Sequence, residues 1–188
     1  PRRHFRFAEN GITDEIVPGR RRSTYFVPIA KPKLKGAQKQ GALDLNIQHR
    51  AEENQLINDL RERVSRWRQA GRPYTTAVTR RLLDHWTRPD RERRLFFCQI
   101  EAVETIIYLT EIAPRHDANH GTFILERFKQ ANAQATPDSH AMLPRHAAKM
   151  ATGSGKTVVM GMLIAWQALN KLANRQDQRF SDDQGKFT

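Results

Sequence analysis

Cysteine is all but missing from this sequence. Cys98 stands alone among 188 residues, so no internal disulfide can form and no cysteine cluster can hold a metal, which fits a reducing compartment. Long apolar runs are missing as well. None approaches the roughly 18 residues that a membrane span requires, and the opening PRRHFRF is not followed by the apolar stretch of a secretory signal. These absences predict a soluble, cytoplasmic protein that stays out of membranes. Apolar residues make up only 38% of the chain and the mean hydropathy is −0.72, so the core should be small for a chain the size of one ordinary domain.

Acidic residues are the next shortage. Twenty Asp and Glu face 32 Lys and Arg, a formal charge of +12. The excess is front-loaded: residues 1–50 carry 11 basic against 4 acidic side chains, residues 51–98 carry 11 against 7, and residues 99–188 carry 10 against 9. Such a basic surface attracts polyanions and releases their condensed counterions on binding, which makes nucleic acid the leading partner. A solvated basic surface without a partner is the plainer reading of charge alone. The chain has no starting Met and stops soon after its strongest motif, and it is expected to be a piece of a larger protein.

Residues 1–50 show no helical or strand period apart from Tyr25-Phe26-Val27-Pro28-Ile29, and they hold the basic clusters Arg20-Arg21-Arg22 and Lys31-Pro32-Lys33-Leu34-Lys35. They read as a basic extended arm. Residues 51–94 read as a helical extension. Leu56, Leu60, Val64 and Trp67 share one face of a helix over Glu52–Gln69 that Gly71-Arg72-Pro73 ends, with Arg61, Arg63, Arg66 and Arg68 mostly outside that stripe. Thr75 or Thr76 is placed to cap a second helix with a Val78, Leu82, Trp86 stripe, closed before Pro89. Arginines on these faces either track a phosphate backbone or are merely solvated. A third helix is predicted from about Phe97 to Glu111, ending at Pro114, with Ile100, Val103 and Ile107 facing the core. Residues 115–142 read as an insertion with a short helix around Phe123, Leu125 and Phe128.

Around residue 150 the signals converge. Arg145–Met150 suits a short buried strand, Ala151–Thr157 (ATGSGKT) is a tight glycine turn, and Val158–Leu172 is an apolar helix; strand, glycine loop and helix form the context of a phosphate-binding P-loop. Gly153 and Gly155 let the backbone of Thr152, Gly153, Ser154, Gly155 and Val158 curl round an anion, with N–H groups and the positive helix end facing it. Lys156 would reach the β and γ phosphates and the Thr157 hydroxyl would ligate Mg²⁺, so ATP and Mg²⁺ are the expected ligands and these two residues the catalytic candidates. The helix is apolar nearly all round, which predicts burial between layers beside a sheet. Met150 stands where kinase and GTPase loops carry glycine, which argues against those classes.

The order of Leu95-Phe96-Phe97-Cys98-Gln99-Ile100-Glu101-Ala102, then KMATGSGKTVVM, then a Leu-Ile-Ala-Trp-Gln helix resembles the N-terminal motor region of superfamily 2 helicases. Most of the chain, including GRRRSTYFVPI, VSRWR, TRRLLDHW and FFCQIEAVETIIYLTE, is similar to the restriction subunits of type III-like restriction enzymes. The resemblance implies an α/β fold: residues 95–188 as the first part of a RecA-like ATP-binding domain with an incomplete parallel sheet, behind a mainly helical extension. It also implies a DNA-dependent ATPase acting as helicase or translocase, double-stranded DNA as partner, a modification methyltransferase as companion subunit, and Gln99 as the residue that contacts adenine, its amide offering a donor and an acceptor. After Thr157 no DExH-type acidic pair, second motor lobe or nuclease motif is visible, and Asp182-Asp183 follow the loop helix too closely to be that pair. The chain alone is therefore expected not to turn over ATP. Two rivals stay open: a P-loop enzyme of another class, and a binding module whose P-loop is idle. His116 and His120 have metal-compatible spacing but lie between Pro114 and Gly121 in a loop, and Glu101, Glu104 and Glu111 read as surface charge pairs.

Overall fold

Alternation too short to stand out in the sequence, His4-Phe5-Arg6-Phe7, forms the first strand of the chain. The structure is a computed structural model that describes residues 3–8, 11–28, 49–116, 121–135, 146–177 and 179–180. The chain divides into two units, Pro1–Asp59 and Leu60–Thr188.

In the first unit, strand β1 (Arg3–Ala8) pairs antiparallel with β2 (Gly11–Pro18), with Phe5 opposite Ile16 and Phe7 opposite Ile12 across a bulge. Gly11 opens β2 at φ 116°, a conformation that suits glycine. Strand β3 (Thr24–Pro28) pairs antiparallel with β4 (His49–Glu53), and the Tyr25 hydroxyl donates to Glu52 across the ladder. The described residues of the expected arm lie largely in these two antiparallel strand pairs, because cross-strand pairing satisfies a backbone that has no helical period. The lysine cluster Lys31, Lys33 and Lys35 lies outside the described residues.

The second unit is helical. Helix α1 (Gln55–Gln69), which begins in the first unit, buries Leu60, Val64 and Trp67 as the spacing predicts. Helix α2 (Ala77–Thr87) is capped by Thr76, whose hydroxyl accepts from the Thr79 N–H at 3.0 Å. Its buried face is Thr79, Leu83 and Trp86, turned by one residue from the expected Val78–Leu82 stripe. Helix α3 (Phe97–Ile107) does not stop before Pro114. It passes through a wide π turn, Tyr108–Ile112, into a final turn, α4 (Ala113–His116). The Ala113 N–H reaches back five residues to the Tyr108 carbonyl. Widening the helix there relieves the clash that a proline ring makes with the preceding turn. Helix α5 (Gly121–Ala135) buries Ile124, and α6 (Lys156–Ala173) follows the glycine loop.

Two further expectations are corrected. Residues 146–150 are irregular and mostly exposed, not a buried strand, and both sheets among the described residues are antiparallel. A strand needs a neighbour to pair its backbone groups, and none accompanies this segment among the described residues. Nor is α6 buried all round: Val159, Met162, Trp166 and Asn170 are covered, whereas Val158, Met160, Ile164, Leu169 and Leu172 are 44–66% exposed. The architecture is mixed α/β, with helices in one unit and two small antiparallel sheets in the other. Among the described residues no helix is long and apolar enough to cross a membrane.

Candidate functional site

The glycine loop takes its shape from local geometry. Gly153 and Gly155 sit at φ 75° and 78°, in the left-handed region that side chains with a Cβ avoid. The Ser154 hydroxyl donates to the Ala151 carbonyl at 2.6 Å and closes the turn. Gly155 is the N-cap of α6, and its carbonyl accepts the first helical bonds, from Val158 N–H at 3.0 Å and Val159 N–H at 3.3 Å. The Lys156 and Thr157 N–H groups precede the first helical bond and carry the positive end of the helix. Thr152, Gly153, Lys156, Thr157 and Val158 are exposed around this turn, and Ser154 and Gly155 are half-buried. An exposed curl of amides with a lysine beside it suits an anion with several oxygens.

Gln99 is brought to this loop from the first turn of α3, and it is buried, 5% exposed. Its Oε1 accepts from the Phe96 N–H at 2.8 Å, and its Nε2 donates to the Ser154 carbonyl at 3.0 Å. A methyl group at Gly155 would collide with the Gln99 amide. Glycine at 155 is therefore required twice, by its backbone angle and by its neighbour.

Farther along α6 lies a buried polar network centred on Glu111, a residue expected to be a surface charge. Glu111, in the π turn, is fully buried and accepts from the Thr76 N–H and, at 2.8 Å, from the Thr79 hydroxyl. That hydroxyl accepts in turn from Trp166 Nε1 at 2.9 Å and Asn170 Nδ2 at 3.0 Å, while the Thr76 hydroxyl donates to Asn170 Oδ1 at 2.6 Å. Arg179 stands 3.7 Å from the Glu111 carboxylate. The same arginine holds the Asp177 carboxyl at about 2, chiefly through its hydrogen bonds and against a smaller opposing effect of burial. A second buried carboxylate, Glu104, is clamped by Arg68 at 2.5 Å and Arg72 at 2.7 Å. Arg68 is thus a core ion-pair partner. Glu104 and Glu111 could have been suspected from their helical spacing to Gln99, since 99, 103, 104, 107 and 111 fall on one face.

Cys98 is exposed, and the described residues include no group of three or more metal-ligating side chains. His120, and the side chain of His116, lie outside what is described, as do Arg145, Asp182 and Asp183. No protein-family model, curated protein or solved structure matches this chain.

Proposed function

We propose that this chain is the nucleotide-binding front end of a DNA-dependent ATPase, a helicase or translocase motor of the restriction-enzyme type. The observation that carries this reading is the loop: two glycines at positive φ, a helix cap at Gly155, and Lys156 and Thr157 exposed on the first turn. That arrangement fits the triphosphate of ATP. Backbone N–H groups of Gly153, Gly155, Lys156 and Thr157 cradle phosphate oxygens, Lys156 neutralises the β and γ phosphates, and Thr157 is the Mg²⁺ ligand, with the ion supplying charge stabilisation when bound. Gln99 completes the site through the loop.

The bare apolar face of α6 supports the RecA-like assignment, because in such a domain this helix lies against a parallel sheet. The +12 charge is compatible with DNA as the polyanionic partner. Exposed Arg80, Arg81, Arg93 and Arg94 are the candidate phosphate contacts in the helical unit, whereas Arg68 and Arg72 are taken up by Glu104. Other parts of the motor supply the acidic pair and arginine finger that turnover requires, and a methyltransferase subunit would accompany it.

The test is ATP hydrolysis by the full-length protein with and without double-stranded DNA, beside Lys156→Ala. Strong stimulation by DNA that Lys156→Ala abolishes, with salt-sensitive DNA binding retained, is the expected result. A variant that keeps its ATPase would refute the loop assignment. DNA binding without hydrolysis in the wild type would instead favour a binding module with an idle loop.

A further inference from the structure

Reading adenine takes both functions of a glutamine amide at once, the carbonyl oxygen for the N6 amino group and an N–H for N7. Both functions of Gln99 are already engaged within the protein. Oε1 closes the α3 cap through the Phe96 N–H, and Nε2 holds the Ser154 carbonyl in the middle of the phosphate loop. What remains of the amide, one N–H and one lone pair, belongs to a side chain that is 5% exposed and packed against Gly155 so closely that no Cβ fits between them. Turning the amide towards a base would break a helix cap and release the loop that binds the phosphates. A buried carbonyl or amide left without a partner is costly.

We propose that Gln99 is a positioning residue for the phosphate cradle and not a reader of the base. The site then recognises its ligand by the triphosphate and takes purine nucleoside triphosphates and inorganic tripolyphosphate with similar affinity. This rests on the phosphate-loop reading above and narrows it: the substrate class is set by Gly153, Gly155, Lys156 and Thr157, and base identity contributes little. Helix α3 acts as the brace. Its far half is anchored by Glu104 on Arg68 and Arg72, and Glu111 in the π turn that continues it is anchored by Thr76 and Thr79, so Gln99 meets the loop from a fixed base.

The experiment is equilibrium binding of ATP, GTP and tripolyphosphate, each with Mg²⁺, to the full-length protein and to Gln99→Met, which fills the space without an amide. The wild type should bind all three with similar affinity, and Gln99→Met should weaken all three by the same factor, about tenfold for one lost hydrogen bond and a loosened loop. Loss of ATP affinity with GTP and tripolyphosphate unchanged would overturn the proposal. Should Gln99→Met lower the unfolding temperature, the wild type still decides, because a preference for ATP over GTP of a hundredfold or more would also overturn it. A wild type that binds none of the three would remove the phosphate-loop reading itself, a result distinct from either.

Discussion

The segment from α3 to the π turn, which carries Gln99, and the segment of the glycine loop and α6 meet at two polar places, and polar groups are handled there in opposite ways. At the loop, backbone amides stay near solvent, two glycines hold angles other residues avoid, and a single side-chain bond from Gln99 braces the turn. Around Glu111, polar groups are removed from water and satisfied by one another through Thr76, Thr79, Trp166 and Asn170. The first place is open at the surface, the second is closed from it. Stability should concentrate at the network, while the loop should tolerate substitution without unfolding.

The largest effect should come from Glu111→Ala. It leaves the Thr76 N–H and the Thr79 hydroxyl without their acceptor and removes a buried carboxylate 3.7 Å from Arg179, and it should cost about 3–5 kcal/mol in chemical denaturation. Lys156→Ala, at the exposed loop, should change stability by no more than about 0.5 kcal/mol. Equal losses from the two variants would erase the contrast between the regions.

A smaller effect is expected at Thr76, whose hydroxyl caps α2 and also donates to Asn170. Thr76→Ala should cost about 1–2 kcal/mol. Thr76→Ser, which keeps the hydroxyl, should recover most of it. Failure of serine to rescue would mean that the methyl group matters more than the cap.

The smallest effect is on acid stability. In the fold the Asp177 carboxyl lies at about 2, below its ordinary 3.8, through the Arg179 hydrogen bonds. A folded value below the unfolded one contributes stability that is complete above the unfolded value and fades as pH falls through the folded one. The stability difference between wild type and Asp177→Asn should therefore be constant from neutral pH down to about 5 and shrink between about 4 and 2. A difference that grows on acidification would contradict the pairing.

Helices were legible where periodicity met a local stop signal. Leu60, Val64 and Trp67, closed by Gly71-Arg72-Pro73, mark α1, and Thr76 marks the start of α2. Legibility failed where a polar residue took a core position. Thr79 belongs to the buried face of α2, and a search for apolar stripes passes over it in favour of Leu82. Pro114 misled for a related reason: a π turn precedes it and lets the helix continue, and nothing in the local sequence signals that Glu111 in that turn is bonded to Thr76 and Thr79. The β1–β2 hairpin was hidden by its brevity, since four alternating residues and one glycine are weak against a background of arginines.

By itself the amino-acid sequence determined the glycine loop. Gly153, Gly155 and the helix that follows are dictated by backbone angles and capping over a few neighbouring residues, and such short-range terms can be read along the chain. Only the tertiary structure decided which side of α6 is covered, that Glu104 and Glu111 are buried, and that the Gln99 amide faces the loop. Each of those depends on partners dozens of residues away. A carboxylate or an amide looks the same in sequence whether water or a buried hydroxyl satisfies it, and only packing chooses between them.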